Sequence, residues 1–315
     1  MNKKIAIIGA GISGLATAYI LSGSNKYDIT VLAKEFSPNI TSNRAAAFWY
    51  PYQIRFDKRG IAWSKKSYDF FKALANDASS GISMKHLIKV IRKDVVEEEP
   101  VWLEFIPEGV CTMVPEDQLA PGIQKAYDVW VPLVETQIFL PYLQHIFSTR
   151  NVVFKQEEVK SFEELSSFDI IINCTGLGAR SLCHDEAIIP IRGQIVLLET
   201  DTSMPIYMDN ETPLYIVPRK DAMIVGGTYE RGVYDAVTEP ETLERILSNA
   251  YNVFPQLKNH QVLGNWAGLR PYRPQVRVEH EPGTNIIHNY GHGGSGFTLS
   301  FGCASDVANL VEQMN

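Results

Sequence analysis

Near its start the chain reads Lys4-Ile5-Ala6-Ile7-Ile8-Gly9-Ala10-Gly11-Ile12-Ser13-Gly14-Leu15. The apolar run at residues 5–8 predicts a buried strand, and a helix is predicted to begin near Ile12. The three glycines have the G-x-G-x-x-G spacing that allows a tight turn and close approach to a diphosphate at a helix N-terminus. We therefore predict dinucleotide binding, rather than an ordinary glycine turn, by Gly9, Ala10, Gly11, Ile12, Ser13 and Gly14.

A second strand is predicted at residues 27–33, after the polar break that ends the first helix. Dinucleotide-binding folds place an acidic side chain about 20 residues beyond the glycines, where it bonds the ribose. Glu35 is the candidate for that contact, and Lys34 is predicted to lie near the adenylate phosphates. The alternative is that both are solvated charges at a strand end. The nucleotide half is in either case predicted to be ADP.

Composition limits the kind of protein. The chain has 315 residues, of which 45% are hydrophobic and 21% charged, so it can form more than one domain. Its net charge of −7 argues against nucleic acid and anionic membranes as partners. No apolar run approaches the roughly 18 residues of a membrane span, and no signal peptide is evident, so we expect a cytoplasmic protein. The cysteines are scattered and predict reduced thiols rather than metal ligands: Cys111, Cys174, Cys183 and Cys303.

A segment of small and aromatic residues follows the second strand. It reads Thr41-Ser42-Asn43-Arg44-Ala45-Ala46-Ala47-Phe48-Trp49-Tyr50-Pro51-Tyr52. The alanines would let the backbone lie against a flat ring, and the aromatic side chains could form a wall beside it. A core-packing loop explains the segment equally well. The candidate contacts for the bulkier half of a cofactor are Arg44, Ala45, Ala46, Ala47 and Trp49.

Residues 168–173 repeat the opening pattern, because a buried strand runs into the small residues around Thr175 and Gly176. The end of such a strand is a second place where the backbone can approach a nucleotide. The chain thus returns to its first sheet after a long excursion. Residues from about 50 to 130 are accordingly predicted to belong to another domain.

The second domain is predicted to contain several strands. Residues 215–218 and 223–229 form a predicted hairpin, whereas residues 200–214 lack periodicity and are predicted to be a lid or substrate loop. The acidic run at residues 97–100 is most simply a solvated turn. Arg270 lies between glycine and proline in a strand-rich context, where a rigid guanidinium would bind a carboxylate.

The last motif is a glycine-rich loop that leads into an apolar-periodic helix ending near Met314. This second helix N-terminus cannot serve the phosphates already assigned to Gly9 and Gly14. It suits the edge of a flavin where negative charge accumulates on reduction, which favours FAD over NAD as the cofactor. The candidate contacts are Gly293, Gly294, Ser295, Gly296, Phe297 and Thr298.

These motifs, taken together and in this order, resemble the D-amino-acid oxidase family. The motifs that carry the resemblance are Gly9 to Gly14, Ala45 to Trp49, Tyr215 to Pro218, Gly226 to Tyr229, Gly268 to Pro274 and His288 to Gly294. The resemblance implies an α/β protein with a Rossmann-type FAD-binding domain in discontinuous segments, namely residues 1–50, 130–190 and 280–315. It also implies an α+β substrate-binding domain with a large mixed sheet, formed by residues 51–129 and 191–279.

The resemblance further implies oxidative deamination of D-amino acids, with oxygen reduced to hydrogen peroxide. Arg270 matches the arginine that binds the substrate carboxylate, and Tyr215 matches a tyrosine that shares this task. Tyr229 falls where microbial members have a second active-site tyrosine. Gly294 corresponds to the glycine whose carbonyl accepts from the substrate amine, so that the Cα–H leaves as hydride to flavin N5 without a side-chain base. His292 is interpreted as a structural or flavin-proximal residue.

Three positions depart from the family pattern and concern substrate size. Ala47 stands where members often have glycine, Tyr50 where animal members have glutamine, and residues 200–214 have no close counterpart. The main hypothesis is an FAD-dependent oxidase of neutral D-amino acids, with a homodimer as the expected assembly. A D-aspartate or D-glutamate oxidase is the nearest alternative, with Arg219 and Arg55 as candidate cations. A glycine or sarcosine oxidase and a non-catalytic FAD-binding protein are the others.

Overall fold

The computed structural model describes residues 2–55, 57–93 and 100–314, so the predicted acidic turn at residues 97–99 lies outside the described part. The helices are α1 Ile12–Ser22, α2 Lys58–Leu74, α3 Thr136–Thr149, α4 Ala179–Leu182, α5 Pro240–Val253 and α6 Gly296–Gln313. The strands are β1 Lys3–Ile8, β2 Tyr27–Ala33, β3 Ile82–Arg92, β4 Cys111–Met113, β5 Ile123–Val134, β6 Val153–Gln156, β7 Ile170–Asn173, β8 Ile189–Leu198, β9 Ile206–Asp209, β10 Leu214–Pro218, β11 Met223–Gly226, β12 Glu230–Arg231, β13 Val262–His280 and β14 Ile286–His292. Among the described residues, no helix is both long enough and apolar enough to cross a membrane.

One half of the structure is a parallel sheet with neighbours in the order β14-β7-β1-β2-β6. Its central strands are runs of isoleucine and valine, because both faces of a parallel sheet are covered. One face packs on α1, α3 and α6, and the other is covered by a smaller cluster that includes Leu165 and Phe162. This half confirms the predicted Rossmann-type α/β arrangement.

The other half is a mixed sheet in which most neighbours are antiparallel, in the order β4-β5-β3-β9-β10-β11-β8-β13. β13 joins the two halves, because its first part pairs with β8 and its last residues, Arg277 to His280, pair with β14. We call the half with the parallel sheet the nucleotide half and the half with the mixed sheet the substrate half, after their predicted roles. The sheet is continuous from one half into the other. The large mixed sheet confirms the predicted fold class, and the domain boundaries stay predictions.

The segment at residues 200–214 differs from its prediction as a loop. Residues 206–209 form β9, all four residues are buried, and the strand pairs with β10 on one side and β3 on the other. The alternation of apolar and polar residues that marks many strands is absent here, because side chains on both faces of this strand are covered. The segment is thus part of the sheet, and only its two ends are turns.

Helix α6 is the central packing element of the nucleotide half, since it contacts both α1 and α2. At the crossing with α2, the amide of Gly302 donates to Ser67 Oγ at 2.9 Å. A Cβ built on Gly302 would lie 2.6 Å from the carbonyl carbon of Trp63, well inside van der Waals contact. The crossing distance of the two helices therefore requires glycine at this position.

We expect Gly302→Ala to lower the free energy of unfolding by about 1–3 kcal/mol, since an added methyl group must displace the backbone of α2. The loss should outweigh the gain in helix propensity of about 1 kcal/mol that alanine brings. Asn309→Ala, on the exposed side of the same helix, is the control and should change stability by no more than about 0.5 kcal/mol. Denaturant unfolding measures both, and equal stabilities for the two variants would contradict the packing argument.

Candidate active site

A cavity of about 1550 Å³ lies between the two halves, at the carboxyl ends of β1, β2 and β7. This position is where open α/β sheets bind their ligands. Its nucleotide end is lined by the predicted residues Gly9, Ala10, Gly11, Ile12, Ser13, Lys34, Glu35, Thr175 and Gly176. Its other end is lined by the predicted residues Arg44, Ala45, Ala46, Ala47, Tyr215, Tyr229, Arg270, Gly293, Gly294, Gly296, Phe297 and Thr298.

Backbone geometry at the nucleotide end fits a diphosphate. Gly9 has a φ of 108°, and a Cβ there would lie 2.5 Å from the carbonyl oxygen of Cys174. Gly14 does not line the cavity; a Cβ on it would overlap the Gly9 carbonyl oxygen, so its role is close packing of α1 on the strand end. The N-cap residue Gly11 offers no side-chain acceptor, although the amide of Ile12 donates to Ser42 Oγ at 2.9 Å. The first amides of a helix have no partner within the helix, so those that follow Ile12 can bind an anion.

The charged residues that were predicted to contact ADP lie just after the end of β2. Lys34 and Glu35 both line the cavity, as does Glu158, whose carboxylate is 3.7 Å from Lys34 Nζ. Both members of this ion pair are more than half exposed, so it adds little stability. The ribose contact of Glu35 stays a prediction.

The N-terminus of α6 opens at the other end of the same cavity. Its N-cap residue Ser295 makes no capping bond, because its hydroxyl instead donates to the carbonyl of Tyr52 at 2.6 Å. A Cβ on Gly296 would lie 3.5 Å from Ile12 Cγ2, so the first turns of α1 and α6 are in contact. The N-termini of both helices therefore face one cavity, where both can stabilise negative charge.

Four buried polar atoms of cavity-lining residues have no partner among the described residues. They are Trp102 Nε1, Trp266 Nε1, Asn289 Oδ1 and His292 Nε2. Buried polar groups are nearly always hydrogen-bonded, so such orphaned atoms indicate a missing ligand. With the glycine turn and the two helix ends, they show that the residues present fit a dinucleotide cofactor.

Ala47 has a left-handed backbone, with a φ of 56°. Left-handed backbone favours glycine, which the resembled family often has at this position. Because Ala47 has a Cβ, it adopts this left-handed conformation with some backbone strain. Ala47 lines the cavity beside the predicted ring site.

Besides Gly14, two predicted cofactor contacts do not line the cavity. Trp49 is 1% exposed, its Nε1 donates to the Ser64 carbonyl at 2.9 Å, and its ring packs against Tyr68. Its side chain therefore belongs to the core of the substrate half. Ser295 is buried with its hydroxyl turned to Tyr52, as described above, so only its place in the loop is relevant to the cavity.

Arg270 is the candidate carboxylate ligand. Its Nη1 donates to the carbonyl of Thr228 at 2.9 Å, and no carboxylate in the described part of the chain pairs with it. A half-buried guanidinium held by neutral groups keeps its charge available for an anionic ligand. Gly294 is adjacent, since a Cβ on it would lie 3.5 Å from Arg270 Cδ and 2.9 Å from a ring carbon of Tyr52.

Three tyrosines surround this guanidinium. Burial raises the pKa of Tyr215 and of Tyr52, while the positive charge of Arg270 opposes both shifts. Burial also raises the pKa of Tyr229, which lies at the more exposed side of the group. All three phenols are therefore neutral hydrogen-bonding groups at physiological pH. The sequence analysis did not select Tyr52, although it adjoins the aromatic run at residues 48–50.

Aromatic rings form one wall of the substrate end. Ring centroids are 6.4 Å apart for Phe48 and Tyr215, 6.3 Å for Phe48 and Tyr50, and 5.8 Å for Tyr50 and Trp102. Met208 and other apolar side chains also line the cavity. Trp102 and Met208 were not predicted, because their contacts arise from segments far apart in sequence.

The two cations considered for an acidic substrate lie outside the cavity wall. Arg219 is 1% exposed and is bonded to Asp221, to the carbonyl of Ala45 and to Thr136 Oγ1. Arg55 is 60% exposed at its side chain and lies near Asp57. Neither candidate is therefore placed to contact a substrate side chain.

Arg192 holds the segment that follows β11. Its guanidinium is nearly buried and binds the carboxylates of Glu230, Asp235 and Glu239. The same segment supplies Thr228, whose carbonyl orients Arg270. The hydrogen bond from Arg192 is the main cause that lowers the pKa of Glu239. The pKa of Asp235 is lowered mainly by a hydrogen bond from the backbone amide of Val237, and further by the bond from Arg192. Arg192 thus stabilises the segment that supplies the hydrogen-bond acceptor of Arg270.

Comparison with known proteins defines the class. A family model described as FAD dependent oxidoreductase matches residues 4–310. The chain belongs to this family, so it is an oxidoreductase enzyme and its cofactor is FAD.

Individual relatives narrow the comparison. The chain is 35% identical to a D-amino-acid oxidase of Rubrobacter xylanophilus, over 98% of this chain and 95% of the relative. It is 34% identical to a D-amino-acid oxidase of Dictyostelium discoideum, over 98% and 92%, and 29% identical to the human D-aspartate oxidase, over 99% and 95%. The solved glycine oxidase of Bacillus cereus has the same fold, with a TM-score of 0.81, 19% identity and coverage of 100% and 96%.

We expect His292 to make stability depend on pH. Burial lowers the pKa of His292 to about 4, whereas an unfolded histidine titrates near 6.5, so the unfolded chain binds the extra proton first as the pH falls. Stability should therefore decrease below about pH 6.5, by about 2 kcal/mol between pH 7 and pH 5.

Denaturant unfolding at both pH values tests this expectation. His292→Gln removes the titrating group and should remove that part of the pH dependence. His145→Gln, at an exposed position on α3, should leave the wild-type dependence unchanged. An equal pH dependence in wild type and His292→Gln would contradict the assignment.

Proposed function

We propose that this protein oxidises D-amino acids with neutral side chains to 2-oxo acids and ammonia, and reduces oxygen to hydrogen peroxide. The observation that carries the proposal is Arg270, a half-buried guanidinium without a carboxylate partner in the described chain. The D-amino-acid oxidases among the relatives support the substrate class. Their similarity extends over nearly the whole of this chain.

FAD, when bound, supplies the two-electron acceptor for a hydride that leaves the substrate Cα. We assign the diphosphate to the glycine turn at Gly9 and Gly11, and the ring to the end of the cavity between Ala47 and the N-terminus of α6. The uncapped amides of α6 stabilise negative charge at that end. Ala46 and Gly293 lie in the same wall and complete the proposed ring site.

The substrate is oriented by contacts to its two polar groups. Arg270 binds the carboxylate, with the neutral hydroxyl of Tyr215 as a second donor. The carbonyl of Gly294 accepts from the amine, and this residue lies beside both Arg270 and Tyr52. Such fixed orientation increases the rate substantially, because reacting groups that are already aligned lose little further entropy on reaching the transition state.

No side-chain base is required by this arrangement. The carboxylate of Glu230 is engaged by Arg192 and Gln194, and is not free to accept a proton. His292 has a pKa of about 4, so it is a weak base at neutral pH. The amine is therefore proposed to enter in its neutral form, with hydride transfer as the chemical step.

The neutral preference rests on the aromatic and apolar wall beside Arg270. Charged substrate side chains would lose hydration against Phe48, Tyr50 and Met208 without gaining a partner there. One observation favours a second candidate, an oxidase of acidic D-amino acids. Arg245, an exposed residue of α5, lines the outer part of the same cavity, and the human relative is a D-aspartate oxidase.

The cytoplasmic location and the homodimer stay predictions from the sequence. All four cysteines are free, as expected for a reducing compartment.

We expect the purified yellow protein to form peroxide with neutral D-amino acids and with no L-amino acid. D-aspartate and D-glutamate should be poorer substrates, because the wall beside Arg270 is apolar. A coupled peroxide assay across all D- and L-amino acids measures this. Turnover restricted to the two acidic substrates, and lost in Arg245→Gln, would instead establish the second candidate. Bound flavin without any turnover would indicate a non-catalytic protein.

We expect Arg270→Ala to retain FAD and to raise KM by about 10- to 100-fold, the usual cost of losing hydrogen bonds to a charged group. Steady-state kinetics and the visible flavin spectrum provide the two readouts. Arg55→Ala, which removes an exposed arginine outside the cavity, is the matched control and should leave KM as in wild type. An unchanged KM in Arg270→Ala would remove this residue from carboxylate binding.

A further inference from the structure

Two glycines lie in the sheet directly below the carboxylate site. Gly193 is in β8 and Gly226 is the last residue of β11, and both are buried. Neither has a left-handed φ, so a left-handed backbone is not the reason for glycine at these positions. Glycine inside a strand weakens it and commonly marks a close approach of another group. The absence of a side chain therefore needs another explanation.

The space above Gly193 is filled by the guanidinium of Arg270. In the β8–β13 ladder Gly193 pairs with Gly268, and Arg270 lies two residues further along β13. The side chain of Arg270 reaches back over Gly193, where a Cβ would overlap the guanidinium and lie 2.7 Å from Nη1. The missing side chain thus sets how deeply the guanidinium lies against the sheet.

Gly226 has the same relation to Tyr215. The two residues are opposite each other in the β10–β11 hairpin, and the phenol ring lies over Gly226. A Cβ there would be 2.6 Å from Cε2 and closer still to the hydroxyl end of the ring. Gly226 also pairs with Ile195, two residues from Gly193, so the two glycines lie near each other in the sheet.

We propose that Gly193 and Gly226 are positioning residues, which form a floor without side chains that sets where Arg270 and Tyr215 meet the substrate carboxylate. The proposal deepens the proposed function and rests on it for the identity of the carboxylate site. The three atoms nearest to a Cβ added at Gly193 belong to the guanidinium of Arg270, and those nearest to a Cβ added at Gly226 belong to the phenol of Tyr215. Both groups lie at the end of a side chain, so side-chain rotation can displace them without a shift of the backbone. Alanine should therefore displace the binding groups and leave the fold intact, and displacements near 1 Å can cost about 100-fold in rate.

The test uses the FAD-loaded enzyme and benzoate, a carboxylate without an amine. Benzoate binding is followed through the flavin absorbance, and kcat and KM are measured with a neutral D-amino acid. We expect Gly193→Ala and Gly226→Ala to raise the Kd of benzoate and the KM by about 10-fold or more, the usual scale for weakened bonds to a charged group. FAD content and the thermal midpoint should remain close to wild type.

Gly264→Ala is the matched control. Gly264 lies in β13 and, like the two tested glycines, has no left-handed φ. The nearest atom to a Cβ added there is Leu197 Cδ1, at 3.9 Å. We expect its benzoate Kd and KM to equal those of wild type. A second control combines Gly193→Ala with Arg270→Ala, where the added methyl group should no longer change the Kd, because the group that it displaces is absent.

An unchanged benzoate Kd in Gly193→Ala, or an equal further loss in the Arg270→Ala background, would overturn the proposal. A failure of the proposed function would give a different result from a failure of the positioning roles. If wild type binds benzoate through Arg270 but oxidises no D-amino acid, the substrate assignment fails while the positioning roles stand. Absence of benzoate binding in wild type would overturn the carboxylate site and the positioning roles with it.

Discussion

The close packing of α1 between the end of β1 and helix α6 is the constraint on which the rest of the structure depends. Gly14 allows α1 to approach the turn at Gly9, and Gly296 lies in contact with Ile12. Because of this packing, two helix N-termini from opposite ends of the chain open at one cavity. Each end favours negative charge, so a long dinucleotide can be held at its diphosphate and at its redox ring together.

The substrate end depends on a contrast between two arginines of neighbouring strands. Arg192 pairs in register with Leu269, the residue before Arg270. Arg192 is bonded to three carboxylates and serves stability, whereas Arg270 is held by a carbonyl and has no carboxylate partner in the described chain. The first arginine holds the segment that orients the second. The charge of Arg270 thus remains available for an anionic ligand, while the charge of Arg192 is neutralised by its carboxylate partners.

Much of the fold and of the nucleotide site could be predicted from local sequence. β2 has the predicted bounds, and α1 begins at its predicted start. The residues of the glycine turn and of the loop before α6 line the cavity as expected, apart from Gly14 and Ser295. These features are set by neighbours in the chain: glycine spacing, apolar period and strand-to-helix turns. Local physics therefore suffices for them.

The sequence by itself determined the class of fold, the dinucleotide turn and Arg270 as the candidate carboxylate ligand. Only the tertiary structure decided that Trp49 points into the core, that Arg219 is occupied by Asp221, and that residues 206–209 form a buried strand. It also decided which glycines lie beneath Arg270 and Tyr215. The physical reason is that strand register and side-chain direction are set by contacts between residues distant in sequence, which no local pattern contains.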